Sequence, residues 1–229
     1  MHHPAQPSLR KRTLAVLCIA ALLASLCYWA YQSRGQLTQI FPSQTTAQNA
    51  SQVGPVDAGF ARSMLLHHAQ AIQMSMMMRE AASPDIQALA QSITIKQTRE
   101  MGVMEGWLTV WNEPVMVAGP PMAWVEEASN VRHLDDKLFQ ARCKAEGGAM
   151  AGVATPEQLE QLKNATGTDK EILFLELMLA HHRAALPMAW FASRNGESSL
   201  VKALATSMIR DQGMEIGWIQ MKLQQLQES

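Results

Sequence analysis

The chain has 229 residues and a formal net charge of −1, with only 17% of residues charged. That length buries one sizeable core, and the near-neutral, charge-poor composition excludes the basic surface that a nucleic-acid partner demands. Methionine is the outlier, at 16 residues against five Phe and two Tyr. A flexible, helix-favouring core filler accounts for part of that excess.

Residues 1–13 carry the basic cluster Arg10, Lys11 and Arg12, and an apolar run follows from Leu14 to Tyr31. Roughly 18 apolar residues suffice to cross the hydrocarbon layer as one helix. Basic residues on the N-terminal side keep that end in the cytoplasm. The expectation is a single-pass anchor in the cytoplasmic membrane over 14–31, with the rest of the chain on the periplasmic or extracellular face. A cleaved signal peptide is the alternative, but its apolar region is usually shorter, about 7–15 residues. Trp29 and Tyr31 are also bulky for a cleavage site, and Leu26 before Cys27 disfavours lipoprotein processing. Cys18 and Cys27 lie inside the run, so Cys143 is the single thiol left for the exported part and no internal disulfide is expected there.

Residues 32–55 are rich in Gln, Ser, Thr and Asn and read as a polar linker. From Asp57 onward the periodicity is helical. A helix is expected over 57–81, and Ser83-Pro84 opens the next, which runs to Trp111. A proline-rich loop covers 112–121, and a shorter helical segment within 123–146 ends at Gly147-Gly148. Thr155-Pro156-Glu157-Gln158 is a second helix start. A long helix over 169–193, a turn at Asn195-Gly196 and a last helix to the C-terminus complete the chain.

An internal duplication organises this region. Phe60, Met64, His67, His68, Ala71 and Met74 recur as Phe174, Met178, His181, His182, Ala185 and Met188, each 114 positions later. On the partner helices Leu89, Ala90, Gln97 and Glu100 recur as Leu204, Ala205, Gln212 and Glu215, each 115 positions later. Two equivalent helical hairpins close most simply into a four-helix bundle spanning 56–226, so the fold class is all-α.

On a wheel of about 100° per residue the His and Met of each copy share one helix face. Imidazole suits several transition metals, and thioether sulfur selects soft ions such as Cu(I). The same softness argument extends to Ag(I). Side chains three or four positions apart on a helix can share one ion. The candidate ligands are therefore Met64, His67, His68 and Met74, with Met178, His181, His182 and Met188. Gln97, Glu100, Gln212 and Glu215 are placed to hydrogen-bond the imidazoles and fix their tautomers. A methionine at helical spacing is by itself more often core than ligand, and Met76, Met77, Met101, Met104, Met208, Met214 and Met221 are read that way. His133 reads as a surface residue. The chain lacks Glu-x-x-His pairs for a di-iron site, Cys/His zinc spacing, a phosphate loop and a nucleophile elbow, so no catalysis is expected.

These residues resemble the bacterial family of unknown function numbered 305 (DUF305), a ferritin-like helical family. Its pattern Phe-x-x-x-Met-x-x-His-His-x-x-Ala-x-x-Met stands here twice, at 60–74 and 174–188, with the Gln-x-x-Glu of each partner helix. The resemblance covers roughly 56–226 and implies a four-helix bundle, exported or anchored, some of whose relatives bind copper or silver through Met and His. Two departures stand out. Pro187 is expected to kink the second motif helix, placing the equivalence of Met188 and Met74 in question, and the connecting segment is poor in methionine. The expected function is a non-enzymatic, membrane-anchored binding protein for Cu(I) or Ag(I), in sequestration or transfer; a homo-oligomer is compatible with the pattern. The alternative is a structural or partner-binding bundle whose His and Met serve packing. The sequence leaves open whether the two copies form one shared site or two.

Overall fold

Seven α-helices, joined by turns and loops without a strand, make up the residues described by the computed structural model, 53–79, 83–129 and 131–228. They are α1 (Pro55–Met76), α2 (Pro84–Val110), α3 (Trp124–Glu127), α4 (Leu134–Ala145), α5 (Pro156–Asn164), α6 (Gly167–Asn195) and α7 (Ser199–Gln227). The expected anchor over 14–31 and most of the linker lie outside the described residues. Among the described residues, no helix is long and apolar enough to cross a membrane.

Local chemistry sets the helix boundaries. Pro55, Pro84 and Pro156 each occupy the first turn of a helix, where a missing N–H is harmless. Thr155 and Gln158 form the expected reciprocal cap, Thr155 N–H donating to Gln158 Oε1 at 2.8 Å and Gln158 N–H to Thr155 Oγ1 at 3.2 Å. Ser83 sits at the N-cap of α2 without capping through its side chain; its hydroxyl donates instead to Asp85 Oδ1 at 2.7 Å. Gly147 and Gly148, with φ of 64° and 73°, end the α4 segment where the pattern placed the stop. Pro187 does not break α6, which is continuous from Gly167 to Asn195.

The four long helices pair as two hairpins, α1 with α2 and α6 with α7, and the hairpins meet mainly through α1 and α6. The outer helices α2 and α7 reach each other through the ion pairs Lys96–Glu215 (2.7 Å) and Lys222–Asp85 (2.5 Å). Two apolar clusters fill the interior. One joins the start of α1 (Phe60, Met64) to the ends of α2 (Met104, Leu108) and α6 (Ala185, Met188) and the start of α7 (Val201, Met208). The other joins the opposite ends, with Met74, Ile86, Ile93, Phe174, Met178 and Ile219. Helices α1 and α6 therefore run antiparallel, and the duplication behaves as a pseudo-two-fold that exchanges the clusters.

Each hairpin turn is clasped by an acid from the other hairpin. Asp57, fully buried at the start of α1, accepts backbone N–H bonds from Gly54 (2.9 Å), Glu197 and Ser198 (both 3.1 Å to Oδ2). Its duplicate Glu171 accepts from the backbone N–H of Ser83, the duplicate of Ser198. The connecting segment packs on α1 through Trp124, whose indole N–H donates to Ser63 Oγ at 2.8 Å. A Cβ on Gly59 would lie 2.1 Å from the Trp124 Cβ, so only glycine permits that approach.

Candidate metal centre

All eight predicted ligands point inward. Met64, His67, His68, Met74, Met178 and His182 are 0% exposed, His181 1% and Met188 2%. The imidazoles of His67 and His181 stack at the crossing of α1 and α6, their ring centroids 3.6 Å apart and tilted by 38°. The duplicated motifs thus meet on their pseudo-two-fold axis. The thioethers redistribute accordingly. Met64 shares a cluster with Met188, and Met74 shares the other with Met178. Because the two helices are antiparallel, each cluster holds a motif methionine from both copies.

The hydrogen bonds orient the rings. His68 Nε2–H donates to Glu100 Oε2 at 2.6 Å, and His182 Nε2–H to Glu215 Oε2 at 2.7 Å. A carboxylate only accepts, so a proton sits on Nε2 of each ring. His181 Nε2–H likewise donates to the His67 carbonyl at 3.0 Å. The Nδ1 atoms of His68, His181 and His182, and both ring nitrogens of His67, are buried without a protein hydrogen-bond partner. Each such atom costs about 1–3 kcal/mol. Glu100 and Glu215 make the hydrogen bonds to imidazole that the pattern placed them for. Gln97 and Gln212 are buried beside them, but their Oε1 atoms have no partner and neither reaches an imidazole.

Burial, with the neighbouring histidines adding to it, holds His67 well below the ordinary imidazole range and lowers His181 to about 3. The Ala151 backbone near His67 favours the charged form, without meeting hydrogen-bond geometry. Both rings are therefore neutral at physiological pH, the state in which imidazole binds metals. Burial raises Glu215, but the bonds from His182 and Lys96 outweigh it and leave the carboxyl below its usual range.

Among the described residues no group of three or more His, Cys, Asp or Glu is arranged to hold a metal ion. Thioether sulfur together with imidazole nitrogen is in general a donor set that fits Cu(I) or Ag(I) better than Zn(II). The methionines read singly as core divide three ways, Met77 and Met101 being partly buried. Met76, Met214 and Met221 are more than half exposed, whereas Met104 and Met208 are buried in the cluster of Met64 and Met188. Cys143 is 4% exposed and lies in that cluster too, its thiol pushed up to about 11, chiefly by burial. His133 is exposed at the start of α4.

Over this interior lies the turn at 149–154. Gln70 of α1 holds it through paired bonds to Ala154, donating to the carbonyl at 2.9 Å and accepting from the N–H at 2.7 Å. Gly152, at φ 73°, sits against α6 where a Cβ would be 2.3 Å from the Ala184 Cβ and 2.9 Å from the Ala180 carbonyl oxygen.

The fold and this interior define an all-helical, internally duplicated protein with a buried Met/His centre. A profile of the family described as "Domain of unknown function (DUF305)" matches residues 57–223, and the chain belongs to that family. Solved structures agree. A DUF305 protein from Streptomyces coelicolor is 31% identical, with a TM-score of 0.63 over 75% of this chain and 93% of that one. A DUF305 fragment from Deinococcus radiodurans is 24% identical, with a TM-score of 0.59 over 76% and 98%. CopM in its Cu(I)-bound form is 26% identical, with a TM-score of 0.52 over 74% and 96%. No curated protein matches.

Proposed function

We propose that this protein binds soft monovalent metal ions, Cu(I) or Ag(I), outside the cytoplasmic membrane, to which its N-terminal apolar run anchors it. It sequesters or passes on the ion without catalysis, and its long helices form a ferritin-like four-helix bundle around the donors. The observation that carries this reading is the set of buried imidazole nitrogens without protein partners, lying between two thioether pairs. A core histidine kept only for packing would have both nitrogens satisfied. The carboxylates on His68 and His182 set the tautomer that leaves Nδ1 free for metal. Similarity to a protein solved with Cu(I) bound supports the same choice of ion.

The competing reading, a structural bundle, rests on the Glu100–His68 and Glu215–His182 bonds as core glue. Titration of the full-length chain with Cu(I) against a chromogenic chelator separates the two. The metal reading expects tight uptake that falls at least tenfold in His67→Ala/His181→Ala. Uptake that is weak and equal in both proteins would reject it.

A further inference from the structure

The pseudo-two-fold relates much of one apolar cluster to the other, and the buried positions at which it changes residue type are informative. Phe60 exchanges with Phe174, Met64 with Met178, Met188 with Met74, Leu108 with Leu223 and Ala205 with Ala90. Residue type changes at three buried positions of the outer helices, Val201 against Ile86 and two that exchange sulfur for carbon, and elsewhere at Ala61 against Leu175 and Ala192 against Met78. Met104 of α2 corresponds to Ile219, 115 positions later, and Met208 of α7 corresponds to Ile93, 115 positions earlier. Both methionines belong to the same cluster and both isoleucines to the other.

One end of the domain consequently receives a buried thioether from each of its four long helices: Met64, Met104, Met188 and Met208. The other end has Met74, Met78 and Met178, from α1 and α6 and the turn after α1, and none from α2 or α7. Met and Ile fill similar volumes, so packing is nearly indifferent to the exchange. What changes is the number of soft donor atoms. The same end also borders a cavity of about 380 Å³, lined by Met122, Cys143 and Met188 among others. Arg142, Glu146 and Arg183 line it as well.

We propose that the two halves of the centre are not equivalent. The soft ion occupies the Met64/Met188 end, where Met104 and Met208 are additional ligands. This rests on the soft-metal reading above and selects one of the two half-sites that the duplication offers.

The test is native mass spectrometry and chelator competition with Ag(I) on the full-length chain, comparing wild type with M104I/M208I. The variant copies onto this end the residues that the chain itself places at the other, so the fold should be retained; a melting curve checks this. Wild type should retain Ag(I), and M104I/M208I should lose one ion or weaken at least tenfold while melting within a few degrees of wild type. Unaltered ion number and affinity in the variant, with tight binding by wild type, would overturn this assignment and leave the soft-metal reading standing. Absence of Ag(I) uptake by wild type would overturn both. If the variant unfolds, M104L/M208L supplies the same comparison, since leucine also matches the volume and lacks the sulfur.

Discussion

Acidification from pH 6.5 to pH 5 should destabilise the helical domain by about 3 kcal/mol, a consequence of the paired rings at the helix crossing. His67 and His181 are held neutral in the fold, His181 down to about 3, whereas each titrates near 6.5 in the unfolded chain. Below pH 6.5 the unfolded state therefore binds more protons than the folded state. The stability is fully present above the unfolded value and is lost as pH falls towards the folded one. Each unit of pH well below 6.5 removes about 1.4 kcal/mol per depressed histidine, and less near 6.5 where the unfolded ring is half protonated, so two of them over this interval remove about 3 kcal/mol. Against a total of about 5–15 kcal/mol for a typical domain, that is a large fraction. Urea unfolding of the full-length chain, followed by tryptophan fluorescence between pH 7.5 and pH 5, measures it. Above pH 5 most carboxylates stay ionised in both states, so the window isolates the imidazoles. In His67→Asn/His181→Asn the slope of stability against pH should flatten. A flat wild-type profile, or an equal slope in the double variant, would refute the reasoning.

Glu215→Gln removes the carboxylate that accepts from His182 and Lys96; charge-assisted bonds of this kind suggest a loss of about 2 kcal/mol, read as a lower melting temperature. Asp57→Ala leaves the backbone donors of Gly54, Glu197 and Ser198 without their shared acceptor. It should cost about 3 kcal/mol in urea unfolding and speed amide exchange at the α6–α7 turn. Gly152→Ala sets a Cβ into α6 at a positive φ and should cost at least about 2 kcal/mol, with faster amide exchange across 149–154.

Much of the fold is legible in the chain because its signals are local. Proline at a helix start, the Thr155–Gln158 cap and the paired glycines after α4 act within a few residues of themselves. The duplication made the four long helices visible, and the wheel put the His and Met on the buried face. What stayed hidden is tertiary. A wheel shows that Met64 and Met74 share a face, but not that antiparallel packing gives each a partner from the other copy, Met188 and Met178. Pro187 lies on a helix that continues through it, and Met188 reaches the core despite it. Ser83 does not cap because the Ile86 N–H it would accept donates instead to Asp85 Oδ1 at 3.0 Å, the oxygen to which the Ser83 hydroxyl also donates. Met104 and Met208 read as ordinary core, since spacing alone does not distinguish a thioether that packs from one that also donates. Their mismatch with Ile219 and Ile93 at the 115-residue offset was the available signal.

X-ray absorption at the copper edge, on the full-length chain loaded with one equivalent of Cu(I), addresses the centre most directly. The account predicts a coordination shell containing both thioether sulfur and imidazole nitrogen. A shell of light atoms alone, or copper that remains with a weak competing chelator, would contradict it.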